Sequence, residues 1–178
     1  MNIKISKSKR INDIKTLTFN KFIDNRGFFS RIYCKKEFKN LNFKLKQINF
    51  SKNKKKGTIR GLHFLKESAK ESKIVICLNG KIFDVIIDMR PNSKTYLTYL
   101  TLKLDNKKGV LIPPGFAHGF QTLSNYTDVL YFHSEFYTKK FDGGINPFDT
   151  NLSIKWPIKN YIISKKDLYL PQIKKNEM

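Results

Sequence analysis

The chain has 178 residues, enough for one domain with a sizeable core and cramped for two. Its formal net charge is +21, from 35 Lys and Arg against 14 Asp and Glu. Nearly all the cations are lysines, spread from Lys4 to Lys175 and accompanied by abundant Asn and Ile. That joint bias is the drift of an AT-rich genome and lacks the clustered basic face of a nucleic-acid binder. Cys34 and Cys77 make no disulfide framework and suit a reducing cytoplasm. The N-terminal residues lack the apolar core of a signal peptide, and no apolar run approaches the roughly 20 residues of a membrane span. The expectation is a soluble cytoplasmic protein, with no nucleic-acid or membrane partner, whose charge attracts anionic ligands.

Residues 1–20 alternate weakly, as one or two strands would. Asp24-Asn-Arg-Gly27 is turn chemistry, followed by Phe28 and Phe29 on opposite faces of an extended segment. A short helical turn is expected over 35–40 and a strand over 43–50. That strand sets Gln47 and Asn49 on one face, an unusual polar face that fits either a ligand-facing interior or a strand near a sheet edge. Residues 73–78 and 81–88 are β-branched runs separated by Asn79-Gly80, which predicts a hairpin with a type I′ turn. Asp84 interrupts the second run, so it is paired or faces a cavity. Further strands are expected over 96–104 and 128–136, with loop over 141–157 and a short strand ending at Trp156-Pro157. Ser164 is placed to cap a final helical turn. Many short strands between Gly, Asn and Pro turns, with almost no helical periodicity, predict an all-β sandwich or barrel.

The chemistry concentrates in Gly57-Thr-Ile-Arg-Gly-Leu-His-Phe64. On a regular strand, side chains three apart point to opposite faces. Arg60 and His63 therefore share a pocket only if Gly61 bends or bulges the strand. A second stretch, Ile112-Pro-Pro-Gly-Phe-Ala-His-Gly-Phe120, sets His118 among prolines and glycines. No His-x-His pair exists, and His118 and His133 stand isolated in the sequence, so no metal site is expected. There is no Gly-x-Ser-x-Gly elbow for nucleophilic catalysis. General acid–base chemistry fits best, with His63 as a base near neutral pH, a carboxylate to orient it, a tyrosine opposite and a cation for an oxyanion.

Phe22-Ile-Asp-Asn-Arg-Gly-Phe-Phe29, Gln47-Ile-Asn-Phe-Ser51, Arg60-Gly-Leu-His-Phe64, Lys73-Ile-Val75, Gly80-Lys-Ile-Phe-Asp-Val85, Ile112 to Phe120 and Ser164-Lys-Lys-Asp167 occur in this order. Together the set resembles the dTDP-4-dehydrorhamnose 3,5-epimerase family of sugar-nucleotide epimerases, over about residues 20–171. The resemblance implies an all-β cupin jelly roll with short peripheral helices over 1–178, a homodimer with exchanged N-terminal strands, and neither cofactor nor metal. It implies a catalytic set of His63 as base, Asp167 as its orienting partner, Lys73 as enolate stabiliser and Tyr131 as acid. Substrate binding falls to Arg26, Phe28, Gln47, Asn49, Arg60, His118, Tyr137 and Lys166. The implied substrate is a nucleotide-diphospho-4-keto-6-deoxy sugar, destined for surface polysaccharide or capsule. The sequence departs from the family pattern at Arg31, at Leu65 with the 66–70 loop, and over 142–149. The nucleotide and sugar therefore stay open between a dTDP-hexose and a GDP-heptose. Epimerisation at C3 alone and a non-catalytic sugar-nucleotide-binding cupin are the alternatives.

Overall fold

The computed structural model describes residues 3–66 and 70–174. The N-terminal part forms β1 (Ile3–Lys7), β2 (Lys15–Phe19), a small hairpin of β3 (Phe22–Asp24) and β4 (Gly27–Phe29), and the one-turn α1 (Lys35–Phe38). Then come β5 (Gln47–Asn53), β6 (Ile59–Leu65), β7 (Lys73–Asn79), β8 (Lys81–Asp88), β9 (Tyr99–Asp105) and β10 (Lys108–Ile112). The chain continues through β11 (Phe116–Thr122), β12 (Thr127–His133), β13 (Asp142–Gly144) and the one-turn α2 (Lys165–Leu168).

Ten of these strands with β13 make two antiparallel sheets, in the orders β1-β2-β10-β7-β12-β5 and β13-β6-β11-β8-β9. Alternation along each strand sends one set of side chains inward and the other outward. Val75, Cys77, Val110 and Val129 of the first sheet meet Ile82, Ile86, Phe116 and Phe120 of the second in a shared core. The opposite face of the first sheet is covered by Phe38, Leu41 and Phe43, around α1. The opposite face of the second is covered by Ile145, Leu152, Trp156 and Ile173 from the C-terminal region. Two packed sheets with strands crossing between them form the cupin jelly roll expected. No helix among the described residues is long and apolar enough to cross a membrane.

Several sequence expectations need correction. Asn79-Gly80 does not close a hairpin, since β7 lies in the first sheet and β8 in the second. Gly80 has φ +80°, but Asn79 is not in the left-handed region that a type I′ turn also demands. The dipeptide is instead a corner where the chain changes sheet. The strand expected over 43–50 begins at Gln47 and runs on to Asn53, and the one expected from Tyr96 begins at Tyr99, after a turn with Leu97 at φ +58°. The strand over 128–136 ends at His133. No strand ends at Trp156, whose indole N–H donates to the Pro147 carbonyl at 2.7 Å, whereas Asp142–Gly144, expected as loop, pairs with β6.

The inner surface changes character along the strands. Inward positions of β7 read Cys77, Val75, Lys73, and those of β12 read Val129, Tyr131, His133. Apolar residues fill one end of the jelly roll, and polar groups line a cavity of about 500 Å³ at the other.

Candidate active site

Gly61 makes the first decision. It has φ +107°, and the pairing of β6 with β11 slips there: His63 faces His118, while Arg60 faces Phe120. Three steps on β6 thus match two on β11, the bulge required to turn Arg60 and His63 to one side. Both side chains line the cavity. Arg60 is steadied by its Nε–H donating to Asn53 Oδ1 at 2.8 Å.

Asp167 is delivered from far along the chain. Residues 158–162 run beside the start of β6, with Ile59 N–H donating to the Ile162 carbonyl and Ile162 N–H to the Gly57 carbonyl. Ser164 then caps α2, its hydroxyl oxygen accepting from Asp167 N–H at 3.1 Å. Asp167 Oδ1 lies 2.8 Å from His63 Nε2, and Oδ2 accepts from Gly61 N–H at 3.1 Å. Burial acts to raise the Asp167 carboxyl. The His63 hydrogen bond and charge, the Gly61 amide and Lys166 outweigh it and hold the group below its ordinary value. An ionised Asp167 accepts a proton-bearing Nε2, which leaves the lone pair of His63 on Nδ1. The imidazole is 39% exposed while its carboxylate is 7% exposed, so ligand can reach the ring but not the group that orients it.

The opposite wall belongs to the first sheet. Tyr131 on β12 is inward-facing, and burial, opposed by Arg60 and reinforced by Asp84, pushes its phenol far above the ordinary value. It therefore stays protonated across the neutral range. Its ring lies edge-on to His118 at 6.4 Å. Lys73 enters from β7, 9% exposed, its ammonium 3.3 Å from Glu71 Oε2. His118 Nε2 is 2.7 Å from Asp84 Oδ1, which answers the question posed by the acid inside an apolar run. Burial raises the Asp84 carboxyl, with His118 and Lys73 pulling the other way.

At the mouth, Asp142 Oδ2 accepts from Lys166 Nζ at 2.9 Å and from the Tyr137 hydroxyl at 3.3 Å. The Asp142 hydrogen bond raises the Lys166 ammonium. Asn49 lines the cavity, and Gln47 reaches it through Asn49, donating from Nε2 to Asn49 Oδ1 at 2.9 Å. Arg26 and Phe28 stand apart from the cavity within one chain. Every residue of β3 and β4 is exposed, and Arg26 pairs with Asp24 at 2.6 Å.

Sequence reasoning passed over Glu71, His133, Asn53 and Asp142 as site residues. None of the three histidines is isolated in space, because His133 Nδ1 lies 2.7 Å from Glu71 Oε1. The available signal was the i, i+2 spacing that puts His133 on the face of Tyr131. Among the described residues, no three His, Cys, Asp or Glu side chains gather as metal ligands would.

A wall that can take a proton, faced by a wall that can give one, suits inversion at carbon, and the class of protein so defined is an epimerase, an isomerase. Comparison with known proteins supplies the family. The model of the dTDP-4-dehydrorhamnose 3,5-epimerase family matches residues 8–175. The epimerase of that name from Shigella flexneri is 38% identical over 152 residues, 83% of each chain. The crystal structure of the Bacillus anthracis enzyme, with TDP and PPi bound, superposes with a TM-score of 0.90 at 38% identity, covering 96% of this chain and 99% of that one. The Legionella pneumophila enzyme, in complex with dTDP-4-keto-L-rhamnose, gives 0.87 at 30% identity, covering 97% and 99%. The chain belongs to the dTDP-4-dehydrorhamnose 3,5-epimerase family.

Proposed function

We propose that this chain inverts C3 and C5 of a dTDP-linked 4-keto-6-deoxyhexose, with His63 as base, Asp167 orienting it, Lys73 stabilising the enolate and Tyr131 returning the proton. The observation that carries this proposal is the opposition of His63 and Tyr131 across one cavity, on different sheets. Hydrogens on C3 and C5 flank the C4 carbonyl. Removing either leaves an enolate whose charge falls on the C4 oxygen, where a buried ammonium is worth most. Reprotonation from the far wall then inverts the centre, and the atoms balance without a redox partner. Arg60 and Lys166 supply cations for the diphosphate, and Tyr137 an aromatic face for the base.

The preference for a dTDP-hexose over a GDP-heptose rests on the relatives, whose names specify dTDP. Arg26 and Phe28 enter this scheme through a homodimer, in which the β3–β4 hairpin of one copy completes the cavity of the other. The exposed Phe22, Ile23, Phe28 and Phe29 on that hairpin favour such a contact.

The deciding experiment is incubation with dTDP-4-keto-6-deoxyglucose in heavy water, with the GDP-linked 4-keto-heptose in parallel. Deuterium at both C3 and C5 with inverted product is expected for the dTDP sugar. One deuteron would mean C3 epimerisation alone, and none with either sugar would overturn the proposal. His63→Asn should lower exchange at both carbons by at least about 10²-fold, the usual cost of a missing acid–base group.

A further inference from the structure

Lys73 and His133 lie directly opposite each other on β7 and β12. Glu71 sits beneath both, 8% exposed, and divides its two oxygens between them. Oε2 is 3.3 Å from Lys73 Nζ, and Oε1 is 2.7 Å from His133 Nδ1. Burial would raise this carboxyl, but the His133 hydrogen bond and the Lys73 charge outweigh it and keep the group ionised. An ionised carboxylate only accepts, so Nδ1 of His133 carries the proton.

The consequence runs on along the wall. With its proton on Nδ1, His133 presents the Nε2 lone pair to Asn49 Nδ2 at 3.3 Å. Asn49 Oδ1 accepts from Gln47 Nε2 at 2.9 Å, and Gln47 Oε1 accepts from the Tyr137 backbone N–H at 3.1 Å. Each donor meets an acceptor from Tyr137 to Glu71, and this polarity is consistent only with the Nδ1–H tautomer. The Glu71 segment is itself clamped to the end of β12. Ser72 N–H donates to Ser134 Oγ at 2.7 Å, and Ser134 N–H donates to the Ser72 carbonyl at 2.9 Å.

We propose that Glu71 is a positioning residue that holds the Lys73 ammonium in the cavity wall, and that His133 ties this anchor through Asn49 and Gln47 to the segment carrying Tyr137. The proposal deepens the epimerase function above and rests on it for its kinetic consequences. Placement of the lysine and of the mouth aromatic then belong to one hydrogen-bonded chain, with the lysine end felt in turnover and the tyrosine end felt in binding.

Two variants and one spectrum test it. Glutamine at position 71 keeps the shape but has one accepting and one donating end, so it cannot accept from both Lys73 and His133. Glu71→Gln should lower kcat and C3/C5 exchange together, by about tenfold or more, with KM changed less than about threefold. His133→Phe keeps the ring but cuts the chain to Asn49, and should raise KM several-fold more than it lowers kcat. A loss of thermal stability in both variants with kcat and KM unchanged would reduce the cluster to structure and overturn the proposal. Nitrogen-15 NMR of the wild-type protein, with His133 assigned by its loss in His133→Phe, should show protonated Nδ1 and bare Nε2. The opposite tautomer overturns the chain even if Glu71→Gln fails to fold. If wild-type protein turns over no 4-keto sugar nucleotide, the epimerase function fails instead, and the tautomer alone then decides for or against the anchor.

Discussion

Three histidines in this chain each hold a carboxylate, yet their settings differ. The side chains of His118 and His133 are 5% and 14% exposed, against 39% for His63. A proton-abstracting base must touch substrate, and the greater exposure of His63 supports the proposal that it takes that step. The roles proposed for Tyr131 and Lys73 can be separated by experiment. A lysine that stabilises the enolate is needed whenever a proton leaves, whereas a tyrosine that supplies the far-side proton is needed only for inversion. In Tyr131→Phe the base can still remove a proton and return one from solvent to the same face. That variant should wash deuterium into substrate while forming little inverted product. Lys73→Met should suppress both, by about 10²-fold or more. A time course of deuterium content and product configuration by NMR checks the pair. An unchanged ratio of exchange to inversion in Tyr131→Phe would take the acid role from Tyr131.

The elements show how a single backbone position sets a site. A Cβ on Gly61 would lie 2.7 Å from the His118 carbonyl oxygen and 2.7 Å from Gly119 Cα, both backbone, at a φ that side chains rarely adopt. Gly61→Ala should therefore push β6 from β11, misplace His63 and separate Asp167 from the amide it accepts. The expected outcome is a fall in kcat of at least about tenfold together with a Tm lower by several degrees, since strain of about 1–3 kcal/mol is involved. Wild-type kcat in a folded Gly61→Ala protein would show that the bulge does not govern the site. The sequence showed that Arg60 and His63 could share a pocket only if Gly61 bulged the strand, but only the pairing of β6 with β11 shows that it does. The sheet change at Asn79-Gly80 was not legible in the sequence: turn chemistry is local, while the choice of partner strand depends on inward residues far away, such as Val110 and Val129 beside β7. Strand ends at Gln47 and Tyr99 were misjudged for a related reason, since alternation continues in sequence past the last residue that finds a partner. In the site, His63 and Lys73 stood out through ordered motifs, and Tyr131 only through the family resemblance. Glu71 did not, because a carboxylate in a Lys-rich loop looks solvated until the fold buries it beside His133.

At the scale of the molecule, a carboxylate cluster remote from the cavity sets acid stability, and the proposed dimer can be tested by mixing. Away from the cavity, Asp88 accepts from Arg90, Ser93 and Thr95, and Arg90 also reaches Asp13 at 2.8 Å. Burial would raise the Asp88 carboxyl, but these hydrogen bonds win and hold it down to about 2. A depressed carboxyl contributes stability that is fully present above its unfolded value of about 3.9 and is lost as pH falls toward 2. Urea unfolding should show wild-type stability dropping across that window, and Asp88→Asn should be weaker at pH 6 with a shallower drop. Parallel curves would contradict the linkage. Elsewhere, the exposed β3–β4 hairpin carries Arg26 and Phe28, neither of which lines the cavity of its own chain. If a second copy receives them, the site is shared, and the sharing can be tested by mixing. Arg26→Ala should raise KM by about tenfold, the loss of one charge-assisted hydrogen bond to a diphosphate. His63→Asn should remove turnover. In a mixed dimer of the two, the Arg26→Ala copy keeps its histidine and receives an intact hairpin from the His63→Asn copy. That one cavity is wild type throughout. Co-refolding the two variants should therefore restore turnover at wild-type KM in a fraction of sites, against a background at the Arg26→Ala KM. If Arg26 acted in its own cavity, no mixed dimer would hold a complete site, and the kinetics of the mixture would equal those of the Arg26→Ala protein diluted by inactive chain.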